Sequence, residues 1–556
     1  MSVKKNNNDI ISMEKIENLS KNISDLIPNE LACISGDDKK TWAEYEKISA
    51  RIANFLNERG VTKDTKVGMY LFNCNEYLTS QFATMKVMGV PINVNYRYQS
   101  DELIYLFDNS DSEVVFFHES YLEQVKQVYK KLPDVKTWIQ IGGDKDTEID
   151  GCFSYEEIIS SNDPMERINR DEDNIYMIYT GGTTGMPKGV MYNHGEFSVA
   201  MYGGLKSQGY EVPNMRFREN IKDLKEIIIK KSKSNDLTRC LIACPLMHGT
   251  GMFLGGFMTH CLGGSIITIP EIGLNPEKIL SEISSTGANN LVIVGDAFAK
   301  PLLRELDAGK EKAEPYDISS LKIIISSGVI WSAEVKQGIL GHHDVKLFDS
   351  MGSSEGGMAS SVSSRKKSVK TAKFKINPDV IVLGDDGAIV EPGSGIRGLV
   401  GTSGMVPQGY YKDPVKSAQT FKEVHGKRYS FPGDYALVEE DGSITLLGRG
   451  SNCINSAGEK IYPEEVEEAL KLNINIDDVL VVGVDDEKFG QKVVAVASFN
   501  DGMSIEEHAL REETKKHLSS YKVPKNIKFV DKVHRAPNGK ADYKWAAELA
   551  KEFINV

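Results

Sequence analysis

The stretch YTGGTTGMPKGV, Tyr179 to Val190, decides how the chain is read. The residues leading into it, NIYMIY from Asn174, form an apolar run of the length of one buried strand. A strand opening into a loop of glycines, threonines and a lysine has the pattern of a phosphate cradle at the carboxyl edge of an α/β sheet. Gly181, Gly182 and Gly185 let backbone N–H groups approach phosphate oxygens. Thr180, Thr183 and Thr184 add hydroxyl donors, and Lys188 adds charge. A flexible surface loop would account for the glycines but not for the paired threonines and the Pro-Lys step. The nucleotide signature G-x-x-x-x-G-K-[ST] is nevertheless absent, because Pro187 stands where its second glycine belongs and Gly189 follows Lys188.

Outward from this loop, helical and extended patterns alternate. TWAEYEKISARIANFLNERG has the apolar spacing of a helix that stops at Gly60. KVGMYLF then reads as a strand, EYLTSQFATMKVMG as a helix and VPINVN as a strand. LVIVG, LKIIIS and VKLFDS are short β-branched runs between helical segments, as in a largely parallel, buried sheet. After about residue 375 the texture changes to strands joined by Asp-Gly turns, as in YALVEEDGSITLLGR. From Arg449 onward PEEVEEALKL, DVLVVGV, KVVAVASF and NIKFV outline a small α+β unit. The expected architecture is therefore α/β: a large N-terminal domain of stacked α/β sheets with a β-rich subdomain (1–448), then a small α+β C-terminal domain (449–556).

With 556 residues the chain exceeds a single core. A net charge of -13 disfavours a nucleic-acid partner, although it leaves room for an anionic small ligand at local donors. The charged segment 216–236 reads as a solvated helix. No apolar run is long enough to predict a transmembrane segment, and the polar start predicts no export signal, so cytoplasmic location is the expectation. Seven cysteines at scattered spacing predict reduced thiols, with Cys240 and Cys244 bracketing a buried strand rather than a zinc site. GSGIRG, Gly393 to Gly398, fits a dinucleotide fingerprint in letters alone. Pro392 precedes it and LVGTSG follows, so it reads as a turn entering a strand.

YTGGTTGMPKG resembles the phosphate loop of the adenylate-forming superfamily of acyl-CoA synthetases, peptide-synthetase adenylation domains and beetle luciferases, with Gly181 in place of the family's Ser. CPLMHGTG (244–251), SSGV (326–329), MGSSEGG (351–357), GYYKDPVKSAQTF (409–421), GDY (433–435), GRGSNCINSAGEKIYPEEVEEAL (448–470) and APNGKADYKWA (536–546) follow in the family's order. The wording of VPINVNYRY, VGDAF and GKADYKWA is most similar to the fatty-acyl and steroid-side-chain CoA ligase branch.

The resemblance implies roles. Thr184 would be a catalytic residue and, with the rest of the 180–188 loop, would steady the triphosphate. Ser327, Gly328, Met351, Gly352, Ser353 and Ser354 would face adenine, and Glu355 would be the catalytic carboxylate and Mg²⁺ ligand. Asp434 and Arg449 would hold the ribose. His248, Gly249, Thr250, Gly295 and Gly328 would line the acyl site, their small size suggesting room for a medium or long chain. Lys540 would be the mobile catalytic cation, stabilising charge as a carboxylate meets the α-phosphate. Ser451 would be the hinge of a mobile small domain, and Gly458 and Lys460 the face presented to coenzyme A. Met351 stands where the family carries an aromatic ring, and can cover a purine only by dispersion. Ser451 stands where Asp or Lys is usual; a small residue also absorbs a hinge rotation.

The function so implied is ATP- and Mg²⁺-dependent ligation of a carboxylic acid to coenzyme A through acyl-AMP. The alternatives are an acyl-AMP ligase serving a carrier protein or another acceptor, and a non-catalytic nucleotide-binding regulator. Acyl identity, peripheral membrane association and a homodimer stay open.

Overall fold

The computed structural model describes residues 23–143, 148–168, 173–180, 186–217, 220–310, 315–456, 459–486, 490–518, 520–536 and 539–554. Gly181, Gly182, Thr183, Thr184, Gly185 and Gly458 lie outside the described residues, as do the side chains of Ser451 and Lys460. The chain divides into two compact units: residues 1–357, 362–369 and 403–430, and residues 358–361, 370–402 and 431–556. The second unit thus combines the β-rich stretch with the carboxyl-terminal residues. A functional boundary at 448/449 remains a proposal.

In the first unit, the strands Leu31–Ser35, Ser265–Thr268, Arg239–Ile242, Asn290–Ile293, Ile323–Ser327 and Lys346–Ser353 lie side by side and parallel. Four of them, Arg239–Ile242, Asn290–Ile293, Ile323–Ser327 and Lys346–Ser353, coincide with the runs read as strands, whereas Leu31–Ser35 and Ser265–Thr268 were not singled out; Leu241, Val292, Ile293 and Ile325 are almost inaccessible. A second sheet, also parallel, takes its strands in the order Val90–Asn93, Lys66–Tyr70, Ser112–His118, Thr137–Ile141 and Cys152–Ser154. Helix Trp42–Glu58 opens on a capping box, in which Thr41 accepts from the Glu44 amide and Glu44 accepts from the Thr41 amide. A small antiparallel sheet of Gly409–Tyr410, Lys188–Asn193 and Ile175–Thr180 places both flanks of the glycine-rich loop on paired strands.

The second unit has two sheets. One contains the hairpin Asp434–Val438 and Ile444–Arg449, which turns through Gly442 at φ +74°. The turn GSGIRG leads into strand Arg397–Thr402, as its flanks predict. The other contains Ile454–Ser456, Glu459–Ile461, Ile476–Asp486, Gly490–Phe499 and Asn526–Val530. Alternate residues of Ile476–Asp486 serve opposite faces. Val479 and Val481 join a core with Val466 and Leu470 of helix Pro463–Lys471. Leu480, Val482 and Val484 join another with Ala546 and Ala550 of helix Tyr543–Ile554.

The charged 216–236 segment contains helix Asn220–Lys233, which buries Leu224 and Ile228 and leaves its lysine-rich end outward. Cys240 and Cys244 are buried free thiols, and among the described residues no group of three or more His, Cys, Asp or Glu could hold a metal ion.

Candidate active site

The carboxyl ends of the parallel strands bring four motifs to one edge. Cys244–Thr250 leaves Arg239–Ile242, Gly295 follows Asn290–Ile293, Gly328 follows Ile323–Ser327, and Glu355 follows Lys346–Ser353. Ser327 pairs with Ser350, so Gly328 and Met351 stand at the same level on neighbouring strands. This edge is where open α/β sheets bind ligands.

Glu355 is buried, and its Oε1 accepts the Tyr410 hydroxyl at 2.7 Å. The Ser353 hydroxyl accepts from the Glu355 amide at 3.1 Å, and the Tyr192 hydroxyl donates to the Ser354 carbonyl. Gly352 stands where the chain reverses closely, a Cβ there lying 3.1 Å from the Gly356 carbonyl oxygen. A single buried carboxylate, outside any acidic or imidazole cluster among the described residues, suits Mg²⁺, which draws most of its ligands from phosphates and water.

Lys188 Nζ lies 2.5 Å from Asp413 Oδ2, and this ammonium holds the Asp413 carboxyl below the usual carboxylate range. Asp413 also caps helix Pro414–Thr420 through the Lys416 amide. Asn93, to which the sequence reading gave no role, ties the roots of two motifs together. Its Oδ1 accepts from the Tyr179 amide at 2.6 Å, and its Nδ2 donates to the carbonyls of Tyr179 and Met247 at 2.8 and 2.7 Å. Asn73 does the same for the acyl motif, donating to the Cys244 carbonyl and accepting from the Leu246 amide. Asn73 comes shortly after strand Lys66–Tyr70 and Asn93 is the last residue of strand Val90–Asn93, positions without a local pattern that marks a tether.

His248 and Gly249 lead into a π-helix, Thr250–Phe257, whose Phe253 and Phe257 pack with Tyr176 and Phe197. π-helical turns are rare and concentrate at functional sites. A Cβ on Gly328 would sit 3.6 Å from Thr250 Oγ1, which places these two acyl-site candidates side by side. The room expected beside Gly295 is not there. Its φ is +49°, and a Cβ would lie 2.5 Å from the carbonyl oxygens of Val329 and Ile330. Gly251 is likewise closed by the Pro245 carbonyl at 2.4 Å, so these glycines serve close backbone approach.

In the second unit, Asp434 and Arg449 face each other across the hairpin, with Arg449 Nε 3.4 Å from Asp434 Oδ1. The carboxylate and guanidinium proposed for the ribose are thus neighbours. Glu464 accepts from the Arg449 amide at 3.5 Å, and burial, with the nearby Asp434 charge, raises its carboxyl above the ordinary value. Lys540 is exposed at the end of a tight turn.

Against this geometry stand the comparisons. The family model described as AMP-binding enzyme matches residues 25–411, and that of the AMP-binding enzyme C-terminal domain matches 465–540. The chain belongs to the AMP-binding enzyme family. It is 38% identical, over 97% of its length and 96% of the relative's, to a medium/long-chain-fatty-acid–CoA/3-oxocholest-4-en-26-oate–CoA ligase of Mycolicibacterium smegmatis. It is 39% identical to a 3-oxocholest-4-en-26-oate–CoA ligase of Rhodococcus rhodochrous, over 96% of this chain and 95% of that one. Among solved structures, an anthranilate CoA ligase in complex with anthranoyl-AMP superposes with a TM-score of 0.83 at 20% identity, covering 98% of both chains. That likeness shows the adenylate-forming fold. No helix among the described residues is long and apolar enough to cross a membrane.

Proposed function

We propose that this AMP-binding enzyme is an ATP-dependent carboxylic acid:CoA ligase for medium- or long-chain fatty acids or the side-chain acids of sterols. The observation that carries this reading is end-to-end similarity, at 37–39% identity, to ligases named for those acids. In the first step a carboxylate oxygen attacks the α-phosphorus of ATP, the bond to the bridging oxygen breaks, and pyrophosphate leaves. Lys188 and the loop from Thr180 steady that leaving group, while Lys540 offsets the charge built between carboxylate and phosphate. Glu355, held by Tyr410, is the protein's ligand for Mg²⁺, which when bound neutralises phosphate oxygens. Asp434 and Arg449 orient the ribose, and Met351 with Ser327 and Gly328 covers the base.

In the second step the small domain turns about Ser451 and withdraws Lys540, bringing Gly458 and Lys460 forward. The CoA thiolate attacks the acyl carbon, and AMP leaves with the bonding electron pair. His248, Gly249, Thr250 and Gly328 form the mouth of the acyl site, and the Phe253/Phe257 cluster forms its apolar wall.

The deciding experiment measures acid-dependent pyrophosphate release over a panel from acetate to sterol acids, with and without CoA, beside Lys540→Ala. Thioester formation that favours long or sterol acids is expected, with pyrophosphate release lost in the variant. Acyl-AMP without thioester would make the protein an acyl-AMP ligase, and no release with any acid would make it a regulator.

A further inference from the structure

We propose that the largely buried Arg535–Asp478 pair is the device that positions Lys540 for acyl-AMP formation; the inference rests on Lys540 being the cation of that step. Arg535 Nε and Nη2 donate to the two oxygens of Asp478 at 2.5 and 2.7 Å, a two-point fork. The third donor in use, Nη1, reaches the carbonyl of Gly539 at 3.2 Å, immediately before Lys540 in the chain. The turn closes on itself around this contact. Ala536 N–H donates to the Lys540 carbonyl, Gly539 N–H donates to the Ala536 carbonyl, both at 2.8 Å, and Arg535 pairs with Ala541 as an antiparallel bridge. Gly539 takes φ +73°, which few other residues would tolerate.

The far end of the fork is rigid. Asp478 sits on the strand Ile476–Asp486, which pairs with Gly490–Phe499 along its length, and its Oδ1 also accepts the Val479 amide at 2.8 Å. Burial pushes the Asp478 carboxyl up, but the Arg535 guanidinium more than offsets this and holds it below the usual range. The pair is therefore charged on both sides and most of it is out of solvent, at 18% and 21% side-chain exposure. A largely desolvated ion pair of this kind adds little net stability compared with an apolar pair. What an apolar pair could not supply is the direction of Nη1, which fixes the carbonyl before Lys540. Beyond the lysine, the Tyr543 hydroxyl donates to Glu467 Oε2 at 3.3 Å, so the turn is tethered on both flanks.

This arrangement affects one half-reaction and spares the other, because Lys540 serves adenylation and is withdrawn for thioester formation. The test uses the full chain and reads the two halves separately. Acid-dependent exchange of labelled pyrophosphate into ATP reports acyl-AMP formation, and pre-made acyl-AMP mixed with CoA reports thioester formation. Arg535→Met and Asp478→Asn are each expected to slow exchange by about 100-fold, the scale of an ångström-sized misplacement, with thioester formation near wild type. Arg535→Lys keeps the charge without the fork and is expected to behave like Arg535→Met.

Equal loss of both half-reactions would mean that the pair merely holds the fold, and would overturn the proposal. Undiminished exchange in the Met and Asn variants would overturn it as well, as would exchange at the wild-type rate in the Arg535→Lys protein. Lys540→Ala is the reference: if its exchange survives, the assignment of Lys540 fails and the positioning role falls with it. If only Lys540→Ala loses exchange, the positioning role alone is wrong.

Discussion

The Tyr410 hydroxyl donates to Glu355 Oε1 over 2.7 Å, joining two motifs 55 residues apart in the chain. The carboxylate proposed to meet Mg²⁺ on one side is thus oriented from the other. Tyr410→Phe removes the donor and keeps the ring. We expect an Mg²⁺ requirement raised about 10-fold, the usual effect of losing a group that orients a metal ligand. Titrating Mg²⁺ against pyrophosphate release reads this directly, and an unchanged midpoint would contradict it.

Asn93 closes three hydrogen bonds at the base of the glycine-rich loop. Asn93→Ala leaves an amide and two carbonyls without that partner, which should cost about 1–3 kcal/mol in urea unfolding. The KM for ATP should rise in the same protein, because Tyr179 sits directly before the loop. A stability loss without any change in KM would separate the two roles.

Much of this arrangement was legible from sequence, for reasons particular to each element. LVIVG and LKIIIS are parallel-sheet strands buried on both faces, so their apolar runs announce them. The loop after Tyr179 is read from its composition alone, because residues 181–185 lie outside the described ones. Asn93 and Arg535 escaped notice because their function lies in partners distant in the chain, and an asparagine ending a strand or an arginine in a turn has no distinctive local pattern. Gly295 misled in the opposite direction. A small residue suggests space, whereas here it marks where another backbone passes.

Glu467 provides a pH prediction. Burial, followed by the neighbouring Glu464, raises its carboxyl above the ordinary 4.5, while it accepts from the Val481 amide and the Tyr543 hydroxyl. A raised carboxylate contributes stability that is present in full below 4.5 and lost as pH rises through the raised value. Glu467→Gln keeps the acceptor for the Val481 amide, turns the Tyr543 contact into one donated by the new amide nitrogen, and removes the titration. With the carboxyl raised to about 8, the fall in unfolding free energy from pH 5 to pH 9 should shrink by on the order of 4 kcal/mol, at about 1.4 kcal/mol per pKa unit. A profile as steep as that of wild type would refute this.

The thiols predict a simple count. Cys33, Cys74, Cys240, Cys244 and Cys261 are buried, and burial pushes each of these thiols above its ordinary value. Cys152 and Cys453 are partly exposed. A chromogenic disulfide reagent at pH 8 should therefore titrate those two rapidly in the native protein and the other five only after denaturation. Early reaction of all seven would contradict the packing described.

The π-helix Thr250–Phe257 closes its hydrogen bonds one residue further along than an α-helix does. In evolutionary terms it is a reserve of chain length at the acyl end of the site. Losing one codon there narrows the turn to an ordinary helix and rotates Thr250 relative to Phe257 by about 100°. Ser327 ends another strand and Glu355 lies in the turn after a third, so both keep their places. A change of length in this turn would therefore act at the proposed acyl mouth and leave the proposed ATP-facing residues where they are.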